Sequence, residues 1–199
     1  NDLPVTDHCP GYGSASKYIA SSLKEVIRDN ESFGAKKPTI CIVEIMGRNA
    51  GWLTAAAALA KGDDCNGADA IYLPEKVFDM DAFMAKVKHL AETKSSVVIA
   101  VSEGIHIADG RYVCELANEN VAVDAFGHKQ MSGTAAYLAQ KIAEETGLKT
   151  RAIEFSTLQR AANHLASLTD INEAFQVGHD AVMAAEEGKT GMMITLDRN

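Results

Sequence analysis

A chain of 199 residues, 47% hydrophobic and 23% charged, is long enough for one sizeable core and has the composition of an ordinary folded protein. Its net charge of −8 argues against a nucleic-acid surface, and no apolar run approaches the roughly 20 residues needed to cross a membrane. The four cysteines, Cys9, Cys41, Cys65 and Cys114, lack the paired spacing of a zinc site or a disulfide framework, which points to a reducing cytoplasm.

Residues 1–13, with Pro4, Pro10, Gly11 and Gly13, read as a loop. A helix follows, capped by Ser14, with Ile19, Leu23, Val26 and Ile27 on one face. Gly34 and Pro38 exclude its continuation, and Thr39–Ile45, apolar and β-branched apart from Glu44, has the pattern of a strand buried on both faces. Met46, Gly47 and Arg48 make a tight turn into an Ala-rich segment, Asn49–Ala60, expected to be a buried helix. Free backbone N–H groups at such a helix start, a glycine admitting close approach and a forked cation together suit an anion. Without further context, Met46 reads as core and Arg48 as a surface charge.

Ala70–Leu73 is a short strand stopped by Pro74, and Asp79 opens a helix with the apolar stripe Met80, Phe83, Val87 and Leu90. Ser96–Val101 is the next strand. Residues 104–130 have no clean period beyond a turn at Ala108-Asp109-Gly110 and are expected to form an irregular insertion. Ser132 is expected to cap a helix running to Glu145 and ended by Gly147. Ala152–Phe155 reads as a strand, Asp170 with Glu173 as the capping box of a helix to about Glu187, and Gly191–Leu196 as a last strand.

Strands alternating with helices imply an α/β protein with a doubly wound, mostly parallel sheet and helices on both faces. Ligands of such sheets bind beyond the carboxyl ends of the strands. That rule selects three turns: Met46-Gly47-Arg48, Ser102-Glu103-Gly104 and Ser156 to Arg160.

The same turns carry a resemblance. IVEIMGRNAGWLTAAAALA resembles the segment of the phosphofructokinase family in which a strand ends in Met-Gly-Arg beneath the sugar phosphate. NDLPVTDHCPGYGSASKYIA resembles the tail of that family's Thr-Ile-Asp-Asn-Asp loop and the helix after it, AVSEG its sugar-binding glutamate turn, and LQRAANHLASLTD its Gln-Arg segment. The matches run through the chain in the family's order, and the wording of the last is closer to pyrophosphate-using members than to the common ATP-using bacterial ones.

The resemblance implies a 6-phosphofructokinase of glycolysis, moving a phosphoryl group from pyrophosphate, or alternatively ATP, to the 1-hydroxyl of fructose 6-phosphate with Mg2+. Asp2 would stand near the magnesium and Arg48 at the transferring group. Met46, Gly47 and Glu103 would meet the sugar, and Arg160 and Arg151 the 6-phosphate. Arg151 opens its strand whereas Arg160 follows it, so Arg151 is expected to serve a neighbouring subunit in a homodimer or homotetramer. The general base would immediately precede Asn1, and residues 1–199 are expected to be the sugar-phosphate-binding portion of a longer protein. Where ATP-using bacterial members carry His and Arg, this chain has Thr157 and Thr39, with Lys36 and Lys37 near enough to Thr39 to replace the charge. A reading of another class is a non-catalytic α/β module that binds a sugar phosphate.

Overall fold

The computed structural model describes residues 5–33, 36–117 and 133–198. It holds helix α1 (Tyr12–Ser32), strand β1 (Thr39–Ile45), a short helix α2 (Trp52–Ala55), β2 (Ala70–Tyr72), α3 (Met80–Thr93) and β3 (Ser96–Ser102). After these come α4 (Thr134–Thr146), β4 (Lys149–Glu154), a second short helix α5 (Leu158–Ala161) and α6 (Leu168–Glu186). The four strands form one parallel sheet in the order β2-β3-β1-β4, the α/β architecture expected from the alternation of elements.

Seven consecutive buried residues make β1 the centre of the sheet, and successive side chains go to opposite faces. Ile40 and Ile42 join Val97, Ile99 and Val101 of β3 against Phe83 and Val87 of α3 and Leu138 and Ile142 of α4. Cys41, Val43 and Ile45 join Val98 and Ala100 against Ile19, Leu23 and Ile27 of α1. The stripes of α1 and α3 are thus the two sides of one sandwich. Helix α6 buries only Asp170 and leaves Leu168, Ile171 and Phe175 exposed.

The structure departs from the sequence reading at several points. The Ala-rich segment is helical only from Trp52 and tightens into a 3-10 turn over Ala56–Ala60. Three residues per turn align Ala57 and Ala60, both fully buried, and let the segment lie close to α1. Helix α1 starts at Tyr12 behind Gly11, whose φ of 102° favours glycine, so Ser14 is not its cap. The Ser14 N–H and hydroxyl instead donate to Asp170 Oδ2 at 2.7 and 2.5 Å. Asp170 therefore makes no capping box; it sits in the first turn of α6, which starts at Leu168 after Ser167.

Helix α4 follows Gly133 with no side-chain cap, and Ser132 lies outside the described residues; Gly147 ends it as expected. Strand β4 begins three residues before the expected Ala152, because its register against β1 pairs Thr39 with Lys149 and its edge position tolerates polar side chains. Residues 191–196 are not a strand. The Leu196 carbonyl accepts the Asp7 N–H at 3.0 Å, but the Leu196 N–H goes to Thr6 Oγ1, so no ladder forms. Within 104–117, a bridge between His106 and Tyr112 closes the Ala108-Asp109-Gly110 turn, and Ile105 and Val113 are fully buried. Residues 118–130 of the expected insertion lie outside the described residues.

Phe83 is fully buried, its ring 5.4 Å from that of Tyr72 and 5.2 Å from that of Phe78. Phe83→Ala should lower unfolding free energy by about 3–5 kcal/mol, the usual cost of emptying an aromatic site in a core. Denaturant titration with an unchanged m-value measures it, and a loss below about 1 kcal/mol would contradict this packing.

Candidate functional site

The carboxyl ends of β1 and β3 are tied together by their own turns. Strand β1 delivers Met46, Gly47 and Arg48, and β3 delivers Ser102, Glu103 and Gly104. The Glu103 N–H donates to the Ile45 carbonyl at 3.0 Å, extending the ladder by one bond. Ser102, fully buried, donates its hydroxyl to the Gly47 carbonyl at 2.5 Å and accepts the Gly104 N–H at 3.1 Å. The Gly47 N–H donates to Glu103 Oε1 at 3.1 Å.

Two glycines make this possible. Gly47 has φ 148°, and a Cβ there would stand 2.7 Å from the Ala50 carbonyl oxygen. A Cβ on Gly104 would stand 1.9 Å from the Arg48 carbonyl oxygen, which no backbone accommodates without moving. The two turns are in backbone contact, and the position of Arg48 follows from it.

These contacts correct the expected anion cradle. The Met46 N–H donates to Gln159 Oε1 at 3.2 Å, Gly47 to Glu103, and Gly51 to Glu75 Oε1 at 2.6 Å. Side-chain acceptors thus occupy three amides of the turn, and helix α2 behind them has only four residues. The cations beside the turn are the Arg48 and Arg160 side chains, both of which act on Glu103.

Beyond β4, the Phe155 N–H bonds to the Glu44 carbonyl at 3.0 Å, and the chain turns through Ser156, the one non-glycine residue with positive φ, 42°, among those described. Helix α5 then places buried Gln159 against Met46 and leaves Arg160 exposed. Gln159 Nε2 is buried without a partner among the described residues. Gln159 and Ser102 lay within turns that the strand-end rule selects, though neither was singled out; Glu75 had no sequence signal.

Burial raises the pKa of Glu103, opposed by the Gly47 N–H and by the charges of Arg48 and Arg160, while Glu154 adds to the rise. Half-buried Arg48 and exposed Arg160 therefore act on the same carboxylate. Met46, Gly47, Arg48, Glu103 and Arg160 gather at one edge of the sheet. Arg151 does not join them. It lies within β4 opposite Cys41, bonds Asp29 Oδ2 at 3.2 Å and stacks 4.1 Å above the Phe33 ring, toward the other edge.

Asp2 lies outside the described residues. Among those described, the one group offering three metal-ligand atoms within 4.8 Å is His8, Asp170 and Glu173. It does not fit the magnesium implied at Asp2. His8 Nε2 is already 2.7 Å from Glu173 Oε2, and Asp170 spends its other oxygen on Ser14. The cluster fastens the loop before α1 to α6. A cavity of about 620 Å³ opens between the starts of α1 and α6 with Leu53, Gln159 and Arg160 on its wall, and touches none of Met46, Arg48 and Glu103. No helix among the described residues is long and apolar enough to cross a membrane.

Fold and site together define an α/β protein with two arginines and a carboxylate at the carboxyl edge of a parallel sheet. Residues 1–185 match the phosphofructokinase family model, and the chain belongs to that family. It is 42% identical over 198 residues to pyrophosphate–fructose 6-phosphate 1-phosphotransferase of Xanthomonas campestris pv. campestris, covering 100% of this chain and 47% of the relative. The enzyme of the same name from Methylococcus capsulatus is 41% identical over 198 residues, with 100% and 46% covered. The crystal structure of pyrophosphate-dependent phosphofructokinase from Nitrosospira multiformis superposes with a TM-score of 0.75 at 36% identity, over 98% of this chain and 44% of that one. The chain thus spans about half the length of these relatives.

Gly104→Ala should leave the core folded but displace the Arg48 turn, lowering the affinity for an anionic ligand at least about tenfold, the scale of catalytic groups moved by an ångström. Circular dichroism checks the fold and a binding isotherm the affinity. An alanine variant that binds as the wild type does would show that the turns need not touch.

Proposed function

We propose that the chain is the sugar-phosphate-binding portion of a 6-phosphofructokinase that moves a phosphoryl group from pyrophosphate to the 1-hydroxyl of fructose 6-phosphate. The observation that carries the reading is the convergence of Arg48, Glu103 and Arg160 beyond three strand ends, with the Met46, Gly47 and Gly51 amides already occupied. Pyrophosphate as donor is supported by the names of the two relatives at 42% and 41% identity. Use of ATP is the alternative within the class.

Each residue has a task that its position permits. Glu103 has Oε1 on the Gly47 N–H, which leaves Oε2 to accept a sugar hydroxyl. Met46 offers an apolar contact where the sugar ring lies, and Gly47 shapes the turn beneath it. Arg160, exposed and with no side-chain hydrogen bond or ion pair among the described residues, takes the 6-phosphate as a forked donor. Arg48 stands where the oxygen of the 1-hydroxyl bonds to phosphorus as the bond to the departing phosphate breaks. A guanidinium there counts most in the transition state. The hydroxyl proton goes to a carboxylate that the family resemblance puts just before Asn1. Asp2 would hold Mg2+, which when bound supplies charge neutralisation.

Arg151 belongs to a second site. Its placement in β4, on Asp29 and Phe33, keeps it from the phosphate that Arg160 holds, so the complete pocket takes Arg151 from a neighbouring copy in a homodimer or homotetramer. Four free cysteines, three of them buried, suit the reducing cytoplasm proposed as the compartment.

Initial rates of the full-length protein test the reaction: phosphorylation of fructose 6-phosphate is expected with pyrophosphate and at least about tenfold less efficiently with ATP. Turnover with ATP alone would reverse the donor, and turnover with neither would favour a binding module. Arg48→Ala should lower kcat by about 10²-fold or more with a smaller change in KM, the scale of losing one transition-state donor. Arg160→Ala should chiefly raise the KM for fructose 6-phosphate. If both variants only raised KM, Arg48 would be a ground-state clamp. Mixing full-length Arg151→Ala and Arg48→Ala proteins under subunit exchange should restore activity, because each hybrid has one site with both arginines; verified hybrids as inactive as their parents would place Arg151 outside the site.

A further inference from the structure

Glu44 is the only charged residue of β1, and at 4% exposure it is nearly as buried as the isoleucines around it. A strand position serving packing alone takes an apolar side chain, since an unpaired buried carboxyl loses its hydration. This one has a defined partner: Oε2 accepts the Ala135 N–H, in the first turn of α4, at 2.8 Å. Thr134, the preceding residue, donates its hydroxyl to the Glu103 carbonyl at 3.4 Å. The Glu44 carbonyl receives the Phe155 N–H where the chain leaves β4 for Arg160. Two residues further along β1 begins Met46-Gly47-Arg48. One buried residue therefore touches, directly or through one neighbour, all three turns of the site.

We infer that Glu44 is a positioning residue: its carboxylate clamps the start of α4 to the strand that carries Arg48, and through Thr134 fixes where Glu103 sits. The clamp is a matter of geometry, while its kinetic consequence rests on the phosphoryl-transfer reading above. The groups that act on the carboxyl are the Thr134 and Ala135 amides of α4, Glu154 on β4 and Glu103 beyond β3; the Cys114 thiol, in the turn at Val113–Leu116, is coupled to it as well. Burial pushes the Glu44 pKa up to about 7, the α4 amides pull it down, and Glu154 and Glu103 push it further up. Raising the pH through about 7 thus converts a neutral acceptor into a charged one, which binds an amide roughly twice as strongly. The clamp tightens as the pH rises.

Glu44→Gln in the full-length protein keeps the size of the side chain and an oxygen for Ala135, and removes the charge. In wild type, the amide resonance of Ala135, read by alanine-selective nitrogen labelling, should titrate with a midpoint near pH 7 and be silent in the glutamine variant. Over the same range the KM for fructose 6-phosphate should fall about fivefold in wild type relative to the variant, the scale of exchanging a neutral for a charged hydrogen bond. Ionisation of the sugar phosphate itself is common to both proteins and cancels. An Ala135 resonance that does not move within about two units of that midpoint overturns the clamp. Titration of Ala135 with parallel KM profiles overturns its link to Glu103. A wild-type protein without turnover on fructose 6-phosphate would instead fail the assigned reaction, and the Ala135 titration would still decide the clamp alone.

Discussion

The site depends on one close approach: the Gly104 backbone lies against the Arg48 carbonyl so tightly that a single added methyl group would stand 1.9 Å from it. Parallel strands usually leave their carboxyl ends to separate loops, which move independently. Here Ser102 and Glu103 bond back to Gly47 and Ile45, and Gly104 bonds to the Ser102 hydroxyl, so the turns after β1 and β3 form one unit continuous with the sheet. Such bonds give a cation on a turn the rigidity of a strand. Gln159 adds the turn after β4 to the same unit through the Met46 N–H.

The electrostatics follow from that arrangement. The chain carries a net charge of −8, so the overall field does not attract a polyanion. The Met46, Gly47 and Gly51 amides do not help either, being held by Gln159, Glu103 and Glu75. Occupied amides make the turn stiff, and in the proposed reaction the binding of phosphate falls to guanidinium groups, which offer paired donors in a fixed plane. Glu103 is shared between the two roles, with one oxygen on the turn and the other open.

The sequence made much of this legible, for identifiable reasons. Strands β1 and β3 and helix α3 have periods that only one environment satisfies, and the rule that ligands lie beyond strand ends located three turns that the structure brings together. The start of β4 was missed because Lys149, Thr150 and Arg151 are polar and edge strands tolerate polar residues. An alanine run has the same composition in an α-helix as in a 3-10 turn, so the tightening at Ala56 was invisible. Ser14 and Asp170 each looked like a helix cap. They bond to each other across 156 residues, a pairing that local pattern cannot reveal. The acceptors of the Gly47 and Met46 amides were not legible because they come from elsewhere in the chain: Glu103 and Gln159 are 56 and 113 residues away from their donors.

The central claim is that one rigid edge of the sheet presents Glu103 to a sugar and Arg160 to its phosphate, with Arg48 at the reacting end. A crystal structure of the full-length protein with bound fructose 6-phosphate tests it most directly. The account requires a Glu103 oxygen on a sugar hydroxyl, the 6-phosphate on Arg160 together with the Arg151 of a neighbouring copy, and the 1-hydroxyl directed toward Arg48. A sugar phosphate seated in the cavity between α1 and α6, with Arg48 and Glu103 untouched, would contradict it.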